Sequence, residues 1–192
     1  MRLRNIPGAD DVIQNHPIAI KNVKEYKSKW NQIFGNENPI HIEIGMGKGR
    51  FLMDLAALNP DINYIGIERY TSVLLRAVQK MEELQLPNVR FLCIDAATLP
   101  EIFASGEINR IYLNFSDPWK KNKQAKRRLT HKNFLDRYKN VLNYGDSIWF
   151  KTDNRKLFEF SLNSFAQENF KLSNITLDLH DSGFEGNVIT EY

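Results

Sequence analysis

Two groups of residues with different chemistry lie side by side near the middle of the chain. An aspartate with aromatic neighbours comes first, in the run Asn114-Phe115-Ser116-Asp117-Pro118-Trp119. Six basic side chains follow within nine positions, at Lys120, Lys121, Lys123, Lys126, Arg127 and Arg128. A carboxylate accepts hydrogen bonds from a ligand, and cations without acidic neighbours attract phosphates. Together the two groups predict a site that acts on a polyanion.

The positive charge of the chain is concentrated in this basic segment, residues 120–128. The whole sequence carries 26 basic and 23 acidic side chains, for a formal charge of +3. Without the six basic residues of the segment, 20 basic side chains stand against 23 acidic ones, and the remainder has a charge of −3. A localised positive field on a mildly acidic body indicates a polyanionic partner.

A second candidate site is a glycine loop with acidic residues around it. Gly45, Gly47 and Gly49 come where the first predicted strand turns into a helix, so the backbone there can approach a ligand closely. Glu43 precedes this loop, and two further acids, Glu68 and Asp95, end the next two predicted strands. At those positions Glu68 can bind ribose hydroxyls and Asp95 an adenine amino group.

The charge of Glu43 discriminates between cofactors. A carboxylate beside a pyrophosphate is repelled, whereas a carboxylate beside an ammonium or sulfonium group is attracted. The dinucleotide fingerprint also requires a third glycine where the chain has Arg50. The acidic series therefore favours S-adenosylmethionine, although glycines that serve only a tight turn and a nicotinamide cofactor remain as alternatives.

The elements that position these residues alternate along the chain. Apolar runs predict seven strands, at residues 40–44, 64–68, 89–94, 108–115, 146–151, 170–179 and 187–192. Helical periodicity predicts helices between them, and a lysine-rich helix at about residues 21–34. This order predicts an α/β fold with a mostly parallel seven-stranded sheet, helices on both faces and an antiparallel edge hairpin. Asp117 then lies just past the carboxyl end of a buried strand, where open α/β sheets bind ligands.

Composition narrows the remaining possibilities. A length of 192 residues predicts one domain, with an N-terminal arm and helix at residues 1–38 and the α/β unit at residues 39–192. The chain has one cysteine and four scattered histidines, so we expect no disulfide and no metal site. We see neither a membrane-spanning segment nor a signal peptide and predict a cytoplasmic protein. The sequence leaves a monomer and a homodimer equally open.

These motifs together resemble the class I methyltransferases, and within them the bacterial tRNA (guanine-N7)-methyltransferases. The resemblance covers most of the chain. Its most specific parts are the run from Asn114 to Trp119, the stretch Lys126-Arg127-Arg128-Leu129, the run Phe150-Lys151-Thr152-Asp153-Asn154 and the terminal Thr190-Glu191-Tyr192. It implies a Rossmann-like methyltransferase fold, S-adenosylmethionine as methyl donor and a guanine in the variable loop of tRNA as target.

The resemblance also implies roles for individual residues. The family's cofactor positions match Glu43, Gly45, Gly47, Gly49, Glu68, Asp95 and Asp117, of which Asp117 also matches the catalytic position. The substrate positions match Lys121, Asp153, Thr190, Glu191 and Tyr192. The RNA-contact segment matches Asn122, Lys123, Gln124, Ala125, Lys126, Arg127 and Arg128. The chain has Gln124 where the family usually has a histidine.

Methylation at guanine N7 suits these residues because that nitrogen carries a lone pair and no proton. We therefore expect no general base, and we expect Asp117 or Asp153 to accept hydrogen bonds from the guanine edge as positive charge develops. Two other classes remain as alternatives. A non-catalytic RNA-binding protein would not require Glu43 and Glu68 beside a glycine loop, and an NAD(P)-dependent oxidoreductase would not require the basic segment.

Overall fold

Strands alternate with helices from residue 40 onward, as the apolar pattern predicts. The computed structural model describes residues 6–184, 187–188 and 190. Its strands are β1 (Ile40–Ile44), β2 (Asn63–Ile67), β3 (Val89–Leu92), β4 (Ile108–Asn114) and β5 (Leu142–Lys151). Its α-helices are α1 (Ala9–Asn15), α2 (Trp30–Phe34), α3 (Arg50–Leu58), α4 (Thr71–Leu84), α5 (Leu99–Ile102), α6 (Lys132–Val141) and α7 (Arg155–Gln167).

The strands form one parallel sheet in the order β3-β2-β1-β4-β5. Chain order reverses between β1 and β4, so their carboxyl ends flank the crevice in which doubly wound sheets bind ligands. Every residue of β1 and β2 is buried, as expected for central strands covered on both sides. The predicted parallel α/β architecture is confirmed.

Helices cover both faces of the sheet. One core cluster joins alternate strand residues to α2, α5, α6 and α7, and a second joins the opposite residues to α1, α3 and α4. The predicted lysine-rich helix at residues 21–34 is a 3₁₀ turn, Val23–Tyr26, followed by the short α2. Trp30 of α2 is fully buried, and its indole N–H donates to the carbonyl of Ile102 at 3.0 Å. The N-terminal region therefore shares the core of the sheet.

The sheet departs from the prediction beyond β5. The described residues contain five strands instead of seven, and no antiparallel hairpin. Residues 170–172 and 175–179 alternate in polarity but form no strand, because Asn174 between them has a left-handed φ of 53° and the Thr176 hydroxyl bonds locally to the backbone of Asp178. Leu177 is 91% exposed, so this segment buries little apolar surface. Residues 187, 188 and 190 form no strand, and residues 189, 191 and 192 lie outside the described residues.

Two further boundaries matter for the site. The strand predicted at residues 146–151 begins at Leu142, and its register against β4 shifts between Ile108 and Arg110. Beyond that irregularity the strands pair evenly, so Asn114 lies beside Lys151 where both strands end. Among the described residues, no helix combines the length and apolar character needed to cross a membrane.

Candidate active site

The glycine loop follows β1 and is hydrogen-bonded to the end of β2. The N–H groups of Gly45 and Met46 both donate to the carbonyl of Ile67, at 2.9 and 3.1 Å. Gly49 precedes α3 with a φ of 77°, and a β-carbon there would lie 2.9 Å from the terminal methyl of Met53. The left-handed backbone therefore favours glycine at this position, and a side chain there would also require Met53 to move.

A glycine inside β2 lets the loop pack this tightly. A β-carbon at Gly66 would lie 2.0 Å from Sδ of Met46 and 2.9 Å from a methyl of Leu52. The buried Met46 of the loop thus occupies the space that a side chain on β2 would fill. Sequence reasoning passed over Gly66, although a glycine within a strand indicates close approach of another segment.

Glu43 lies beneath the loop with one carboxylate oxygen open. Its side chain is 3% exposed, and Oε1 accepts a hydrogen bond from Nδ2 of Asn114 at 2.9 Å. Its Oε2 is buried and has no hydrogen-bond partner among the described residues. Burial raises the pKa of Glu43 to about 8, with smaller opposing effects from Asn114 and Lys151. A buried acceptor of this kind can take a hydrogen bond from a cationic ligand.

A small cleft gathers several of the predicted residues at the carboxyl ends of β1 and β4. Its walls are Glu43, Gly45, Met46, Gly49, Arg50, Phe51, Asn114, Phe115 and Thr190. The structure thus brings Glu43, two of the three loop glycines and Thr190 to one place. Glu191 and Tyr192, predicted to bind substrate with Thr190, lie outside the described residues.

Lys151 is a site residue that sequence reasoning missed. Its Nζ donates to Oδ1 of Asn187 at 2.7 Å and to the carbonyl of Val188 at 3.2 Å, and it lies 5.0 Å from the ring centre of Phe51. Burial lowers the pKa of Lys151, whereas the charge of Glu43 acts to raise it. Lys151 therefore links the end of β5 to the tail segment that brings Thr190 to the cleft. A polar residue at the end of an apolar strand was the available signal, as it was for Asn114.

Glu68 supports the glycine loop directly. Its Oε2 accepts from the N–H of Gly47 at 3.2 Å, and its Oε1 accepts from the N–H of Tyr70 at 3.0 Å. The side chain is buried, and burial raises its pKa. Each carboxylate oxygen has a second lone pair, so Glu68 can still accept hydrogen bonds from a ligand.

Asp95 follows β3 in an exposed position. Its Oδ1 accepts from the N–H of Ala97 at 2.8 Å and so caps the 3₁₀ turn Ala96–Thr98. Capping uses one oxygen and fixes the orientation of the carboxylate, while the rest of the group remains accessible. Its predicted contact with adenine stays a prediction.

Asp117 lies in the loop that follows β4, which comprises residues 115–119 and is called the Asp117 loop below. As predicted, the strand ends just before it, at Asn114, and the N–H of Phe115 extends the ladder by donating to the carbonyl of Lys151 at 2.9 Å. Both Phe115 and Trp119 have left-handed backbones, with φ of 50° and 42°. The carboxylate of Asp117 is exposed and makes no hydrogen bond or ion pair with the residues described. Asp153 is likewise exposed, in the loop after β5.

The basic segment is largely exposed. Residues Asn122–Arg127 form a 3₁₀ helix with Lys121 at its start. Exposed side chains are Lys120, Lys121, Asn122, Lys123, Lys126 and Arg127, while Gln124, Ala125 and Arg128 are half-buried. The guanidinium of Arg127 lies 4.9 Å from the ring centre of Trp119. None of these cations forms an ion pair within the described part of the chain, and the charges of the exposed ones, Lys120, Lys121, Lys123, Lys126 and Arg127, face solvent. Such a surface suits phosphate binding.

Solved structures with this fold define the class of the protein. The chain superposes on an antibiotic-related methyltransferase with a TM-score of 0.58 and 19% identity, over 82% of this chain and 80% of that one. It superposes on a putative methyltransferase from Streptococcus mutans, solved in complex with SAH, with a TM-score of 0.52 and 19% identity, over 69% and 74% of the two chains. Both share the Rossmann-like methyltransferase fold.

Sequence comparison identifies the family. The sequence model of a family described as "Putative methyltransferase" matches residues 37–192. The tRNA (guanine-N(7)-)-methyltransferase of Bacillus subtilis (strain 168) is 55% identical over 193 aligned residues, which cover 100% of this chain and 91% of that protein. The chain therefore belongs to the tRNA (guanine-N(7)-)-methyltransferase family.

Proposed function

We propose that the chain transfers a methyl group from S-adenosylmethionine to N7 of a guanine in the variable loop of tRNA, forming 7-methylguanosine. The observation that carries this proposal is the open, buried oxygen of Glu43 beneath the glycine loop. A free acceptor there matches a cationic cofactor, whose charge favours the ionised form of Glu43, whereas a phosphate would oppose that ionisation. It occurs in a chain that is 55% identical to a tRNA (guanine-N(7)-)-methyltransferase.

The residues around the cleft fit this cofactor. Glu43 faces its ammonium group, Glu68 accepts from its ribose hydroxyls, and Asp95 accepts from its adenine amino group. Gly45, Gly47 and Gly49 provide a backbone surface without side chains against it. When bound, S-adenosylmethionine supplies a methyl group on a positively charged sulfur, ready for transfer to a nucleophile.

Guanine N7 has an in-plane lone pair and no proton, so the protein needs to align the base rather than deprotonate it. Asp117 accepts hydrogen bonds from N1–H and the amino group of the guanine. As N7 becomes bonded to the methyl group, positive charge spreads over the purine and strengthens these hydrogen bonds, so Asp117 stabilises the transition state more than the substrate. Its exposure at the end of β4 leaves the carboxylate accessible to an incoming base.

The tRNA binds across the basic segment and the neighbouring loops. Lys123, Lys126 and Arg127 contact phosphates, with Asn122, Gln124 and Ala125 forming the rest of that surface. Lys121, Asp153, Thr190, Glu191 and Tyr192 bind the target nucleotide. The activity is cytoplasmic and is carried out by a monomer or a homodimer of one domain, in which residues 1–38 precede the α/β unit of residues 39–192.

The direct test is to incubate the protein with unmodified tRNA and methyl-labelled S-adenosylmethionine, and then to digest the tRNA to nucleosides. Label is expected in 7-methylguanosine. A tRNA transcript with adenine at the target position serves as the matched control and is expected to remain unlabelled. Label in another nucleoside, or RNA binding without any label, would contradict the proposal and favour a different enzyme or a non-catalytic RNA-binding protein.

A further inference from the structure

Adjacent arginines in the basic segment point in different directions. Arg127 is exposed, whereas Arg128 is half-buried and turns back toward the fold. The Nε of Arg128 donates to the carbonyl of Pro118 at 3.0 Å, and one terminal nitrogen donates to the carbonyl of Trp119 at 3.1 Å. Two N–H donors of Arg128 are therefore already hydrogen-bonded to the backbone of the Asp117 loop. A residue that serves only to bind phosphate would keep these donors free.

The environment of Arg128 is built around this position. Its guanidinium stacks on the ring of Phe160 in α7, with 4.4 Å between Cζ and the ring centre. Two residues further on, Thr130 is fully buried and its hydroxyl hydrogen-bonds the hydroxyl of Ser161 at 2.7 Å. Arg128 thus lies where the basic segment rejoins the core, and α7 supports both its ring contact and the following residues.

The Asp117 loop needs such support. Phe115 and Trp119, at its two ends, both have left-handed backbone conformations, which residues other than glycine rarely adopt. The first end is fixed by the ladder bond from Phe115 to Lys151. The second end is fixed by Arg128. Because the carboxylate of Asp117 makes no bond of its own within the described residues, its position depends on the backbone that these two contacts hold.

We propose that Arg128 is a positioning residue, which holds the Asp117 loop in its catalytic geometry, and not a phosphate contact. The proposal rests on the proposed function, in which Asp117 faces the guanine. An arginine is required because a planar guanidinium can donate from two nitrogens to two carbonyls while it stacks on Phe160. A lysine has the same charge but neither property.

Charge-conserving and charge-removing variants separate the two roles. Arg128→Lys and Arg128→Gln are compared with Arg127→Lys and Arg127→Gln as matched controls. For both Arg128 variants we expect kcat at saturating tRNA to fall roughly tenfold to a hundredfold, because small misplacements of a catalytic group are costly. We expect tRNA affinity and its salt dependence to stay near the wild-type values. Arg127→Gln should instead weaken tRNA binding and lower its salt slope by about 0.7 to 0.9.

Amide hydrogen exchange of residues 115–117 and 119, the residues of the Asp117 loop that carry a backbone N–H, gives a readout independent of catalysis. Exchange should accelerate in both Arg128 variants and stay at the wild-type rate in Lys123→Gln, because Lys123 is exposed and, unlike Arg127, does not lie over the ring of Trp119 in this loop. If Arg128 variants unfold, Phe160→Leu removes the stacking contact and leaves every charge in place, and it should accelerate the same exchange. Absence of methylation by the wild-type protein would refute the proposed function. The exchange rates would still test whether Arg128 holds the Asp117 loop, because they do not depend on catalysis.

Two results would overturn the role of Arg128. One is an Arg128→Lys variant with wild-type turnover and wild-type exchange, since charge alone would then suffice. The other is an Arg128→Gln variant that loses tRNA affinity and salt dependence to the same extent as Arg127→Gln, which would make Arg128 a phosphate contact.

Discussion

The cleft beneath the glycine loop and the basic segment both hold charged groups, but they hold them in opposite ways. Near the cleft, Glu43 is buried and Lys151 is half-buried. Burial raises the pKa of Glu43 and lowers the pKa of Lys151, so it favours the neutral form of each side chain. In the basic segment, Lys123 and Lys126 are exposed and unpaired within the described residues. The cleft therefore holds its charged groups in place at a cost in folding stability. The basic segment presents hydrated charges to solvent at little such cost.

This difference predicts different responses to mutation. A buried charge interacts strongly with its few partners, because little water screens it. Exposed charges interact weakly and are screened by salt, so each contributes a small and nearly independent share of binding. Single substitutions should therefore be severe in the cleft and mild at the exposed cations of the basic segment, in contrast to the half-buried Arg128.

The largest effect is expected for Glu43→Gln. Removing one member of a buried, hydrogen-bonded charge pair typically costs about 2 to 5 kcal/mol, so we expect affinity for S-adenosylmethionine to fall roughly a hundredfold. Isothermal titration calorimetry measures this affinity. Glu37→Gln removes an exposed carboxylate at the amino end of β1 and is the matched control, with wild-type affinity expected. Equal affinities of wild-type protein and Glu43→Gln would remove Glu43 from the site.

The raised pKa of Glu43 makes this effect dependent on pH. In the free protein the pKa of Glu43 is about 8 instead of its ordinary 4.5, so the side chain is mostly protonated at pH 7. A cationic cofactor favours the ionised form, so binding at pH 7 should release a proton, which calorimetry in buffers of different ionisation enthalpy detects. Glu43→Gln should release none.

The same group affects folding. Its contribution to stability is complete below pH 4.5, where the unfolded chain also holds the proton, and is lost as the pH rises to about 8. Glu43→Gln should therefore gain thermal stability over the free wild-type protein at pH 8 and gain little at pH 4.5. A constant difference across this range would contradict the buried, protonated state.

A smaller effect, and one on rate rather than affinity, is expected for Asp117→Asn. Charge-assisted hydrogen bonds contribute about 1.5 to 3 kcal/mol, so kcat should fall by one to two decades if they form in the transition state. Binding of tRNA should change little. Single-turnover rates and equilibrium binding measure the two separately, and Asp61→Asn, in an exposed loop before β2, is the control. A loss confined to tRNA affinity would place Asp117 outside the chemistry.

The smallest single effects are expected in the basic segment. Each of Lys123→Gln, Lys126→Gln and Arg127→Gln should weaken tRNA binding only a few-fold and lower the salt slope by about 0.7 to 0.9. The triple variant should show the sum of these changes. Lys171→Gln, in the exposed tail, is the control for loss of one charge. A single variant with the full loss of affinity would show a specific contact in place of an additive surface.

Much of the site could be predicted because it depends on short-range spacing. The glycine loop, the strand-end acids and the position of Asp117 after β4 each follow from residues a few positions apart. The tail could not be predicted this way. Residues 170–172 and 175–179 each alternate like a strand, but alternation stabilises a strand only where one face is buried, and Leu177 is 91% exposed.

The sequence alone thus determined the order of the five strands of the sheet, the family and the residues that carry charge, since periodicity and motif spacing are local properties of the chain. Only the tertiary structure decided which of those charges are buried and which partners they have. Glu43 meets Asn114 across 71 positions, and Arg128 turns inward while Arg127 does not. Strand register and helix packing create these contacts, and a pKa or a hydrogen bond exists only once distant segments exclude water between them.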